Sequence, residues 1–152
     1  MHFFFLWCVF VIALQSSALS EASKEHFRIE NIVISTVSGE HKFQIELAQT
    51  SNQRRQGLQF RRRLSLNTGM LFVFDFIEPI KMWMKNTFIS LDMLFLSSDG
   101  RIIKIANKTD PLSLNAISSI EPVKGVLEIK AGSVKRLGIK EGDRVYHSAF
   151  QK

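Results

Sequence analysis

The chain has 152 residues, a formal net charge of +6 and a single cysteine. That length suits one domain once its ends are discounted. The cysteine, Cys8, lies in the N-terminal segment. The rest of the chain therefore excludes a disulfide framework, thiol catalysis and cysteine–metal sites.

Residues 1–20, MHFFFLWCVFVIALQSSALS, read as a signal peptide. Residues 3–14 are an unbroken apolar run, too short for a comfortable span of about 20 residues. Ser16 and Ala18 place small residues where a signal peptidase inspects the chain. Cleavage is expected between about Ala18 and Ala22, with export, most simply to a bacterial periplasm. The n-region lacks Lys and Arg, so an uncleaved anchor stays open as the alternative. A lipoprotein is disfavoured, because Phe5, Leu6 and Trp7 make a poor lipobox before Cys8.

No charged residue precedes Glu21, so the positive charge belongs to the exported part. Arg54, Arg55, Arg61, Arg62 and Arg63 concentrate much of it. An exported protein rarely meets nucleic acid. An anionic ligand, an envelope protein, or peripheral contact with anionic membrane or wall polymer is the partner class to expect. A solvated face that aids solubility explains the same charges. No feature calls for an oligomer, so a monomer is expected.

Residues 21–27 read as a short mobile linker before a single β-rich domain, residues 28–152. Residues 29–37 and 42–47 form a predicted hairpin around Ser38-Gly39-Glu40. Phe43, Ile45 and Leu47 alternate with polar neighbours, as in a half-buried strand. Thr50 and Gln53 form a capping box for a short helix that Gly57 ends. Residues 70–74 are a strand that Glu78-Pro79 breaks, and residues 81–85 alternate again. Residues 91–96 and 101–106 form the clearest hairpin, around Ser98-Asp99-Gly100. Residues 107–121 are polar and irregular, a long loop. Pro122 opens a strand over 126–130. Ser133 caps a second short helix ending near Gly138, and residues 144–148 close the chain as a strand. This series predicts an α+β fold, mainly antiparallel β. Its sheet is rolled or barrel-like and carries two short helices.

The candidate site lies in the apolar stretch from Gly69 to Phe95, where Lys85, Asn86 and Asp92 stand among Phe, Met, Leu and Trp. A charge or amide buried there costs several kcal/mol unless it is paired. Lys85 and Asp92 facing each other across strands would pair, with Asn86 orienting either one. Such a group binds a carboxylate or holds a general base near neutral pH. A sealed structural ion pair is the competing reading. Arg61 offers a bidentate anion contact to the same mouth. Trp83 offers a flat face to a sugar or ring, or else packs in the core. Glu128 and Asp143 are two further carboxylates, but one is mid-strand and the other in a turn, which does not make a glycosidase pair. His26, His41 and His147 lack ligand spacing, so no metal site is expected, and no motif calls for a cofactor.

An ordered series of segments runs along nearly the whole chain from about Ile29. It comprises Gln53-Arg54-Arg55-Gln56-Gly57-Leu58, Arg61, and Gly69-Met70-Leu71-Phe72-Val73-Phe74. Trp83-Met84-Lys85-Asn86-Thr87, Leu91-Asp92 and Asp99-Gly100 follow. Val126-Leu127-Glu128, Ala131-Gly132, Gly138 and Gly142-Asp143 complete it. In these the sequence resembles the small bacterial and archaeal family called domain of unknown function 192. The resemblance implies a fold and a pocket, and names no reaction. Gln59 departs from the family's usual Met, and Ser90 from its usual Pro. The leading expectation is an exported β-rich binding module of the cell envelope. The rivals are a hydrolase-like enzyme built on Lys85, Asn86 and Asp92, and a basic protein docking on an anionic surface.

Overall fold

The computed structural model describes residues 25–150, so the expected signal peptide lies outside the described residues. Seven strands form one mixed sheet in the order β5-β4-β6-β3-β2-β1-β7. They are β1 (Arg28–Thr36), β2 (Gly39–Ala48), β3 (Thr68–Met82), β4 (Leu91–Leu96), β5 (Ile102–Ala106), β6 (Ile117–Lys130) and β7 (Arg144–Tyr146). Helices α1 (Ser51–Gln56) and α2 (Ser133–Leu137) are both short, as expected. Neighbouring strands pair antiparallel except β2 with β3, which run parallel. That parallel pair requires a crossover, and α1 with the arginine-rich loop supplies it.

The sheet curls into a half-barrel because its two edges meet. Val145 N–H donates to Gly100 O at 2.8 Å, and Ile102 N–H to Asp143 O at 2.8 Å. An Arg144–Asp99 ion pair at 2.8 Å lies over the seam. Gly100 has φ +81, and a Cβ there would stand 2.2 Å from Val145 O, so only glycine fits this closure.

Curling gives the sheet two apolar faces. Leu127, Ile129, Leu71, Leu94 and Ile45 fill the inside of the half-barrel. Met70, Phe72, Met93, Phe95 and Val126 face outward and are covered by Leu58 and Met84 from the crossover loop and the loop after β3. Strand β4 is therefore buried at every position, from Leu91 to Leu96.

Several elements differ from expectation. Glu78-Pro79 does not end a strand: β3 continues to Met82 through two irregular registers, and Pro79 lies opposite Pro122 of β6. Two prolines facing each other leave no donor to orphan at that point of the ladder. Strand β6 likewise begins at Ile117, inside the expected loop. The end of the expected linker is tied down. Glu25 N–H donates to Gln56 Oε1, Gln53 Nε2 donates to His26 O, and Phe27 is buried. The α1 capping box forms as read, with Thr50 and Gln53 exchanging bonds.

Helix α2 is not capped by Ser133. Its N-cap is Gly132, and the Ser133 hydroxyl has no partner among the described residues. Asp92 does the work instead: its Oδ2 accepts from Val134 N–H and its Oδ1 from Lys108 N–H, both at 2.9 Å. One buried carboxylate thus ties β4, the loop after β5 and the start of α2. Asp92→Ala orphans both amides. It is expected to cost about 3 kcal/mol, read as a lowered urea midpoint at unchanged slope. A midpoint within error of wild type would remove Asp92 from this role.

Candidate functional site

The expected Lys85–Asp92 pair does not form. Residues that face each other in an antiparallel ladder share a face of the sheet. Asp92 faces Ile129 and so lies on the inner side, whereas Met93 faces Glu128 on the outer side. Lys85 lies in the loop after β3, is exposed, and sets its Nζ 5.5 Å from the centre of the Trp83 ring. Asn86 has φ 54. Its Nδ2 donates to Gln59 Oε1 at 3.1 Å and its carbonyl accepts from Phe60 N–H at 2.7 Å. It thereby ties the crossover loop to the loop after β3. Gln59, the departure from the family's usual Met, is what gives the Asn86 amide its acceptor.

Arg61 is also committed elsewhere. Its guanidinium holds Glu46 through both nitrogens, at 2.5 and 2.9 Å. The other arginines separate. Arg54 donates to Val73 O and to Asp75, and lies over Phe74. Arg62 stacks on Phe88, and Arg63 is exposed.

What the fold assembles is a cleft of about 220 Å³ between α1, the far end of β3 and the loop after it. Arg55, Lys81, Trp83 and Lys85 are its exposed members, and Phe72, Leu58 and Gly57 are buried ones. Gly57 allows the crossover loop to lie on the Phe72 ring, since a Cβ there would stand 3.2 Å from it. Trp83, more than half exposed, is a rim residue and not core.

The floor of the cleft holds Glu128. It is 4 % exposed, on the outer face of β6 between Met70 of β3 and Met93 of β4. Among the described residues no side chain or backbone group bonds to its carboxyl. Burial alone pushes it up to about 8, so the group is largely protonated at neutral pH. Asp143, the other carboxylate considered with it, caps a turn by accepting from Lys140 N–H at 2.7 Å.

Of the residues expected in the site, Trp83 and Lys85 line this cleft, Asn86 braces its wall, and Arg61 and Asp92 stand apart from it. Glu128 was not expected there. In Val126-Leu127-Glu128-Ile129-Lys130 an acid alternating with apolar residues reads as the solvent side of an ordinary strand. Only the covering crossover loop turns that side into an interior.

A model of domain of unknown function 192, described as Uncharacterized ACR, matches residues 33–147. No curated protein matches the chain. A solved structure from Sinorhizobium meliloti 1021, described as a candidate transcription regulator, is 45% identical with a TM-score of 0.80. The match covers 83% of this chain and 98% of that one. A protein of unknown function from Novosphingobium aromaticivorans is 37% identical with a TM-score of 0.78, over 80% of this chain and 86% of that one.

The position of Glu128 makes stability depend on pH. Its folded value of about 8 lies above the ordinary value of 4.5, so between these limits the folded state binds more protons than the unfolded. Stability contributed by the neutral acid is complete below about pH 4.5 and is lost as pH rises toward 8. The loss is on the order of 5 kcal/mol. Glu128→Gln is expected to be more stable than wild type at pH 9 and to show less of this decline, measured by urea unfolding from pH 5 to 9. Parallel pH profiles for the two proteins would place the carboxyl in water.

Proposed function

The chain belongs to the domain of unknown function 192 family, and on that premise we propose that it is a small binding module. Its cleft takes a ligand through an anionic group. The observation that carries this is the cleft itself: exposed cations of Arg55, Lys81 and Lys85, an exposed aromatic face at Trp83, and a buried polar group with no protein partner at the floor. Binding sites combine apolar walls with a few convergent polar groups in this manner. The hydrolase-like reading built on Lys85, Asn86 and Asp92 loses support, because Asp92 lies on the other face of the sheet with both oxygens taken. Surface docking by the arginines also loses support, since Arg54 and Arg61 are held by Asp75 and Glu46. The regulator description of the Sinorhizobium protein gains none here: the described helices, six and five residues long, are too short to serve as recognition helices.

Thermal shift of the mature protein with small carboxylates and phosphates at low salt tests this reading. A ligand at a hundred times its Kd adds about 2.7 kcal/mol, which raises Tm by roughly 5–10 °C for a domain of this size. The shift is expected to disappear in a Lys81→Ser, Lys85→Ser double variant. No shift with any such anion would end the proposal.

We further propose that the module acts in the cell envelope after export, a reading supported by the apolar run and small residues of positions 1–20. N-terminal sequencing of the protein from its host is expected to begin between residues 19 and 23. A chain that begins at Met1 in the membrane fraction would make the segment an anchor.

A further inference from the structure

We propose that the ligand of this cleft is dipolar: a cationic or hydrogen-bond-donating group seats against Glu128, and an anionic group is held at the rim by Arg55, Lys81 and Lys85. This rests on the binding reading above and adds the chemistry of the ligand's inner end.

The argument starts from what Glu128 lacks. Its carboxyl has at most one donor and several acceptor sites in either protonation state. None is used by the described residues, although the group is 4 % exposed. Its cross-strand partners on the outer face are Met70 and Met93, which offer no donor, and Lys130, two residues along on the same face, is exposed and forms no ion pair with it among the described residues. The charged groups facing the cleft are Arg54 and Arg55 from α1 and its end, Lys81 from β3 and Lys85 from the following loop. Arg54 is spent on Val73 O and Asp75. The other three are exposed and form no ion pair among the described residues, and none reaches Glu128. Acid at the bottom and cations at the top therefore give the cleft a fixed polarity. A ligand with a single negative end satisfies only the top. A ligand with a donor at the opposite end satisfies both.

Size limits the ligand. A water molecule's share of liquid is about 30 Å³, so the cleft of about 220 Å³ holds roughly seven waters' worth of matter. A molecule on the order of ten non-hydrogen atoms fits, with two charged ends separated by a short apolar span along Phe72 and Leu58. Small amino acids and their homologues have this form.

The proton balance makes the proposal measurable. At pH 7 Glu128 holds its proton. An arriving ammonium keeps its own protons, and Glu128 loses one to solvent, leaving a carboxylate–ammonium pair in the apolar floor. Binding then releases close to one proton per ligand. Affinity rises about tenfold per pH unit below pH 8 and levels above it. An anion that instead accepts from the neutral acid shows the opposite trend and releases none.

The test is calorimetric titration of the mature protein with three matched series. These are ω-amino acids from β-alanine to ε-aminocaproate, carboxylates from propionate to caproate, and amines from propylamine to hexylamine. Titration in two buffers of different ionisation enthalpy yields the protons released. At least one ω-amino acid is expected to bind at least tenfold tighter than its carboxylate and its amine, with proton release. In Glu128→Gln the excess over the carboxylate and the proton release are both expected to vanish, while carboxylate binding persists. The proton count in wild type stands even if that variant folds poorly. Carboxylates that bind as tightly as ω-amino acids overturn the dipolar ligand and leave the anion-binding module intact. Amines that bind while carboxylates and ω-amino acids do not overturn the module. Absence of binding in all three series overturns both.

Discussion

The central strands of this protein are buried on both faces, and most of its other features follow from that constraint. β4 and the second half of β6 pack inward on the half-barrel interior and outward on the layer under Leu58 and Met84. A polar side chain there is either satisfied by the protein or held at a cost. Asp92 and Glu128 sit on adjacent strands of this slab, one on each face, and the fold treats them oppositely. Asp92 receives two backbone amides and becomes a structural tie. Glu128 receives none and is forced toward neutrality by burial. One acid is consumed by the architecture; the other is left available at the floor of a cleft.

The mixed topology explains why the cleft exists. A purely antiparallel meander would join β2 to β3 by a tight turn and leave the outer face of β3 and β6 open to solvent. The parallel β2–β3 pair instead demands a crossover, and that crossover lies over Phe72 and delivers Arg55 and Gln59 to the edge of the cleft. Asn86 then pins the crossover to the opposing loop. The same connection that solves the topology thus builds one wall of the site.

Local chemistry was readable from the sequence wherever it depended on neighbours in the chain. The Thr50–Gln53 capping box, the hairpin at Asp99-Gly100 and the helix ends at Gly57 and near Gly138 needed only short-range rules. The rolled, mainly β architecture followed from their sum. Lys85 and Asp92 stand out in the sequence as polar residues in an apolar stretch, but their partners are not legible there. A one-residue change of parity moves a side chain to the other face, and parity across the irregular end of β3 and the loop after it cannot be counted from sequence. Pro79 misleads for a related reason: alone it argues against a continuing strand, and only its pairing with Pro122 removes the objection. Glu128 was hidden by its own regularity, because an acid in an alternating strand is ordinary until something covers it.

The retention of an acid at Glu128 is informative on energetic grounds. Burying a carboxyl without a partner costs stability that Met or Leu at the same position, beside Met70 and Met93, would recover. The surrounding cations do not remove that cost, since Arg54 is bound to Asp75 and Lys85 rests on Trp83. Under the proposed binding reading, an acid kept at that cost beside Met70 and Met93 is what a working site would retain. On the proposed reading, a buried acid beneath a cationic rim indicates what kind of ligand would fit. Cations at the entrance draw an anionic group toward the cleft, and their own repulsion keeps a bare cation out. A positive or donating group enters that field only as part of a molecule that also carries a negative one. On the proposed reading, the gradient from rim to floor would act as an orientation filter, set by residues from α1, β3 and β6 that no segment of the chain contains together.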